Sequence, residues 1–180
     1  PSGARQHLTA LEQDGFITHR NDRDGRGRPR KIYRLTPAGD ALFPRNYSEL
    51  TNELLEYVAD ENPELLSRIF DRRADRRLER AKTRMRGLSF VERVAETAKI
   101  LDEDGYLADF TTEADGTFLI REHNCAVLAV AERYGHACST ELNFLQALLP
   151  DAEVTRVAHR IAGGHICAYR IVPTEGANRS

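Results

Sequence analysis

Apolar positions along the chain follow two rhythms, helical and alternating, and their order outlines the fold. In the opening stretch "PSGARQHLTALEQDGF", Leu8, Leu11 and Phe16 recur at helical spacing behind an initial proline, and Gly15 stops the run, which predicts a helix. "ITHRNDRDGRGRPRKIYRLT" reads as two short strands, 17–20 and 31–36, around a tip of Gly, Asp and Arg. From Pro37 the pattern turns helical, breaks near Pro44, and continues with Leu50, Leu54, Tyr57 and Val58 as a narrow apolar stripe. A second long helix is expected from Asn62, a capping residue, through Pro63 in the first turn, to about Arg86. Its apolar seam of Leu66, Phe70, Ala74, Leu78, Ala81 and Met85 is wide enough to pair with one neighbouring helix only.

After Gly87 the texture changes. "SFVERVAETAKILDEDG" predicts a helix capped by Ser89 and ended by Gly105, and "YLADFTTEADGTFLIREHN" a hairpin turned at Asp115-Gly116. Two short helices, 126–134 and 139–149, precede a last hairpin turned near Gly163-Gly164. The expected class is α+β: an N-terminal, truncated winged helix-turn-helix (1–43), a helical dimerisation linker (44–87), and a cysteine-bearing α+β domain on a four-stranded antiparallel sheet (88–172), followed by a tail (173–180). The chain opens at Pro1 in mid-pattern, as a piece of a longer protein would.

Composition sharpens this outline through charge. The formal net charge is only −2, but residues 1–34 carry eight Arg and Lys against four Asp and Glu, and residues 71–86 carry eight against three. Such asymmetry points to a polyanion-binding end. No apolar run is long enough for a membrane helix and no signal peptide is visible, so a cytoplasmic protein with no membrane partner is expected. No P-loop, dinucleotide fingerprint, zinc-protease motif or nucleophile elbow occurs, so an enzyme is not expected.

A helix followed at once by a hairpin with an arginine-rich tip has the form of the back half of a winged helix-turn-helix. Ser2, Arg5 and Gln6 on the helix are placed to reach base edges and phosphates in a major groove of double-stranded DNA. The tip "GRGRPRK" presents Arg26, Arg28, Arg30 and Lys31, and Pro29 holds that backbone extended, so these cations suit a narrow minor groove. The alternative is a solvated charged loop; its position between two strands favours the DNA reading. The helices that precede a recognition helix are not in this chain, which by itself is expected to bind DNA weakly.

The chain's three cysteines, Cys125, Cys138 and Cys167, are spaced C-x12-C-x28-C, with no CxxC pair. An odd number of thiols suggests reduced or metal-bound sulfur. Thiolate is the soft ligand of iron–sulfur clusters and zinc, whereas the plainer fate of a free cysteine is a small buried hydrophobe. Cys125 after Asn124, and Cys138 before "STEL", are expected at helix starts, where the helix dipole favours thiolate. A nine-residue helix between them would rise about 13 Å, so three sulfurs converge only if that helix is shorter or 135–137 folds back. His123, His159 and His165 are candidates for a fourth ligand. A two-residue Gly163-Gly164 turn would put His165 on the face of Cys167, and one more loop residue would oppose His159 to Cys167 instead.

The order "GRGRPRKIYRLTPAGDALFPRNY", "EHNCAVLAVAERY…C", "AHRIAGGHICAYRI" resembles the Suf repressor family of bacterial winged-helix regulators, which sense iron–sulfur status and control the cluster-assembly operon. The resemblance implies a homodimer with one [4Fe–4S] cluster per subunit, binding its operator as a repressor when loaded. It places Cys125 and Cys138 on the family's C-x12-C pair and Cys167 on its last cysteine. Ala152 stands where some members have a further cysteine. The fourth ligand is then a choice in which His123 and His159 lead and His165 follows. Two other readings remain at this level: a winged-helix zinc or redox sensor, and a dimeric repressor that binds a small effector and whose cysteines are inert.

Overall fold

The computed structural model describes residues 2–22 and 30–174, Ser2 by its backbone alone. The chain divides into two compact units, 1–46 and 47–180. Among the described residues no helix is long and apolar enough to cross a membrane.

The first unit is a helix, a hairpin and a helical turn: α1 (Ser2–Gln13), β1 (Ile17–Asp22), β2 (Arg30–Leu35) and α2 (Pro37–Asp40). Gly15, at φ +77°, lets the chain leave α1 directly into β1. The strands pair antiparallel from Ile17↔Leu35 to Asp22↔Arg30, so the hairpin is longer at the tip than expected. "LTPAG" locks its base. Thr36 donates from Oγ1 to the Gly15 carbonyl (2.6 Å) and accepts from the Gly39 amide (3.1 Å), while its own amide donates to the Phe16 carbonyl (3.0 Å). Gly39 is buried so tightly here that a Cβ would lie 2.0 Å from the Phe16 carbonyl oxygen. Because the obstacle is backbone, Gly39→Ala is expected to cost about 1–3 kcal/mol, read as a lower denaturation midpoint of this unit.

The second unit holds α3 (Tyr47–Glu61), α4 (Pro63–Arg84), α5 (Phe90–Leu101), β3 (Ala108–Thr112), β4 (Phe118–Glu122), α6 (Leu128–Ala131), α7 (His136–Leu148), β5 (Ala152–Ala158) and β6 (Cys167–Pro173). Two of the expected caps form: the Asn62 side chain accepts from the Leu65 amide (3.0 Å), and Ser89 and Glu92 make a reciprocal capping box. The four-stranded antiparallel sheet is present, in the order β3-β4-β6-β5. Its core face pairs Phe118 with Ile171, Ile120 with Tyr169, and Glu122 with Cys167. α5 and α7 complete the core with Phe90, Val94, Leu101, Phe144 and Leu145, all essentially inaccessible.

Three local expectations are corrected. The helix after Cys125 is a single turn, because "CAV" and "ERYG" fold as turns around it, and α7 begins at His136 rather than Ser139. The last hairpin is joined by an eight-residue turn region, 159–166, in place of a short turn; a register shift after Arg156 pairs Ala158 with Ala168, the register of the longer-loop alternative, which brings His159 opposite Cys167. The seam of α4 is filled from within the chain. Leu66 and Phe70 pack with Ala131 and Ala137, and Leu78 and Met85 pack on the main core, so this helix spends its apolar face on its own domain. The stripe of α3 is different, with Leu50, Leu54 and Tyr57 each more than half exposed.

Candidate functional site

Cys125, Cys138 and Cys167 line one small cavity, with His159, Glu122 and Arg156. Three separate pieces of local structure deliver the thiols. After β4 the chain turns over a π-helical segment, Asp102–Tyr106, which ends with Leu107 in the left-handed region. Asn124 donates from its side chain to the Gly105 carbonyl (2.8 Å) and from its amide to the Tyr106 carbonyl (2.9 Å). Asn124 therefore anchors the Cys125 loop instead of capping a helix, which corrects the expectation of a helix start at Cys125. Cys138 stands inside α7, in its first turn, and Cys167 opens β6. The single-turn α6 lets the backbone double back, which meets the length condition set by the sequence.

The sulfurs are held, not merely buried. Cys167 accepts a hydrogen bond from the Arg160 amide at 3.4 Å, and the Val127 amide beside Cys125 acts against the effect of burial on its thiol. The Arg156 guanidinium donates to the Cys138 carbonyl and lies 5.3 Å over the Tyr169 ring. Burial pushes all three thiols above the ordinary cysteine range. The thiolate preference expected from helix starts is thus reversed: α6 is too short to present much dipole, and desolvation outweighs it. The thiols also raise one another, since Cys138 feels both Cys125 and Cys167.

The three histidines separate clearly. His159 Nε2 is buried in the cavity wall without a hydrogen-bond partner, and burial together with Arg156 holds the imidazole below its ordinary pKa, in the neutral form that can ligate. His123 turns away, its Nε2 2.6 Å from Asp109 Oδ2, and His165 is exposed in the turn region. Among the described residues no three His, Cys, Asp or Glu side chains come together closely enough to hold a single metal ion.

Beneath the cavity lies a charged layer that the sequence reading missed. The nearly inaccessible Glu141 carboxylate accepts from Arg77 (2.9 Å) and from the Tyr106 hydroxyl (3.0 Å), and Arg77 also holds Asp104 at 2.7 Å. Glu122 has a buried, unpartnered Oε1, and burial, then neighbouring Glu141, push its carboxyl up to about 8. In "FLIRE" it occupies the third core-facing place of an alternating strand. A carboxylate there is the local inconsistency that marks a functional position. Its folded-state pKa is raised, so the folded chain keeps a proton that the unfolded chain, at 4.5, has lost. Stability is therefore expected to fall between pH 4.5 and about 8, by up to ~1.4 kcal/mol per pH unit, and to be flat below it. Urea midpoints of the metal-free protein across this window check it, and Glu122→Gln should flatten the profile.

Of the expected DNA contacts, Arg5 and Gln6 are exposed on α1, and Arg30 and Lys31 are exposed where β2 begins, with Arg30 3.9 Å from Asp22. Arg26 and Arg28 lie outside the described residues, as does the side chain of Ser2. Helix, basic hairpin and closing turn are those of a winged-helix, DNA-binding transcriptional regulator. Residues 6–45 match the family described as transcriptional regulator PadR-like. No curated protein matches the chain.

Proposed function

We propose that the chain is an iron–sulfur-responsive transcriptional repressor of the Suf type, holding a [4Fe–4S] cluster with Cys125, Cys138 and Cys167 and with His159 as the fourth ligand. The observation that carries this reading is the meeting of three thiols and an unpartnered, neutral imidazole in one cavity wall. The donor chemistry fits a cluster: soft sulfur, an amide hydrogen bond to Cys167, and the Arg156 cation against the thiolate charge. A bound cluster supplies a centre whose integrity depends on oxygen and iron supply. Zinc is the second reading, since three Cys and one His is a common zinc set; that no three such donors among the described residues stand close enough for a single ion favours the larger group.

The cavity holds about 20 Å³, room for roughly one water. Loading must therefore part its walls, and those walls lead to the linker. The Asn52 side chain on α3 donates to the Ala129 carbonyl of α6 (2.9 Å), and Tyr134 donates to the Asn52 carbonyl (3.3 Å). Phe70 on α4 packs on Tyr134 and stacks on His136, at the start of the helix that carries Cys138. A shift of the Cys125 loop thus bears on α3, whose exposed Leu50, Leu54 and Tyr57 form the proposed homodimer face. Moving paired α3 helices changes the spacing of two DNA-reading units, and half-site spacing sets operator affinity. Such a repressor works in the cytoplasm, where its operator is.

Anaerobic reconstitution tests the proposal. The protein is expected to turn brown and bind iron and sulfide in equal amounts. Its affinity for an operator duplex selected from a random pool should differ between loaded and metal-free forms. A colourless protein that binds one zinc, or equal DNA affinity in both forms, would overturn it.

A further inference from the structure

One side of α4 makes a second candidate site, separate from the cysteine cavity. A groove of about 530 Å³ runs between this helix and the Cys125 loop, lined by Arg72, Arg73, Arg76 and Arg80, with the single carboxylate Asp104, and walled by Ile69 and Val127. Arg77 lies in its floor and is already committed, bridging Asp104 and Glu141. The other four arginines have no carboxylate within ion-pair reach among the described residues, and all four are exposed. Arg72, Arg76 and Arg80 recur every fourth residue, a spacing at which like charges repel along a helix. Four unneutralised guanidinium groups around a concavity are thus unfavourable as they stand and favourable once an anion sits among them.

From this geometry we infer that the groove binds a small, multiply charged phosphate compound. Guanidinium forks match phosphate oxygens in pairs. The volume falls in the range of small-molecule pockets, roughly 300–1,000 Å³, and the apolar wall of Ile69 and Val127 gives a place for a carbon-rich body beside the phosphates. A concave site of this size suits a soluble phosphate ester better than the long surface of a duplex. Its wall includes Ala126 and Val127, which follow Cys125 directly. An anion that pulls on Arg77 would also loosen its hold on Glu141, so occupancy here has a direct route to the cysteine cavity. This gives the effector-binding reading of the second unit a ligand class, and it stands whether or not a cluster is bound.

The test is titration calorimetry on the metal-free full chain at fixed ionic strength, with inorganic phosphate, inorganic pyrophosphate and a nucleoside triphosphate. Pyrophosphate and the triphosphate should bind saturably and more tightly than phosphate. Arg73→Ala combined with Arg76→Ala should weaken them about tenfold or more, while Arg68→Ala, which is outside the groove, should leave binding unchanged. Circular dichroism of the double variant checks that α4 is intact. No saturable binding, affinity unchanged in the double variant, or phosphate bound as tightly as pyrophosphate and the triphosphate would each overturn the inference. Because no metal is present, none of these outcomes depends on the cluster proposal.

Discussion

Serine at Cys125, Cys138 or Cys167 is expected to lower bound iron after anaerobic reconstitution from roughly four atoms per chain to under one. Each substitution exchanges a soft sulfur for a hard hydroxyl oxygen while leaving the side chain nearly the same size. The three positions are not equivalent in the metal-free protein. Cys167 is buried at the end of the core-facing row, whereas Cys125 and Cys138 are half-exposed. Serine at Cys167 therefore also buries a hydroxyl, at about 1–3 kcal/mol, and Cys167→Ala separates that cost from the loss of a ligand. Iron analysis and absorption near 400 nm provide the readout. Iron content unchanged in all three variants would reduce the cysteines to packing residues.

Removing the Arg77 side chain as Arg77→Met should destabilise the second unit by about 3–5 kcal/mol, the cost of stranding a buried charge. Glu141 is nearly inaccessible, and without Arg77 its remaining partner would be the Tyr106 hydroxyl, with unpartnered Glu122 nearby. Adding Glu141→Gln should recover most of the loss, because the stranded charge goes with it and the amide still accepts from Tyr106. Urea unfolding of wild type, both single variants and the double variant completes the cycle. A loss below about 1 kcal/mol for the single arginine variant would show that no buried charge is stranded at Glu141.

How much of this was legible in the sequence differs from element to element. Caps and glycines worked because they act locally: Asn62, Ser89, Gly15 and the Asp115-Gly116 turn fixed element ends without tertiary help. Strand alternation in β4 and β6 gave the sheet, since one face had to be buried. The convergence of the thiols was posed as a length condition, and the one-turn α6 meets it. The charged layer was not seen, because Arg77, Glu141 and Tyr106 are 29 or more residues apart in sequence and carry no local pattern. Glu122 was visible in principle, as a carboxylate in an alternating apolar row. The seam of α4 was read as serving one neighbouring helix, whereas it packs on Ala131 and Ala137 at one end and on the main core at the other, because periodicity reports that a face is covered and not by what.

The brevity of α6 has a bearing on how the proposed cluster would reach the sulfurs. A four-residue turn has almost no ladder of its own to break, so the segment bearing Cys125 can peel from the rim while the sheet beneath keeps its register. Insertion and ejection of an inorganic core would then be edge events on a standing scaffold, fast and repeatable, with no need to refold the domain between one genetic response and the next.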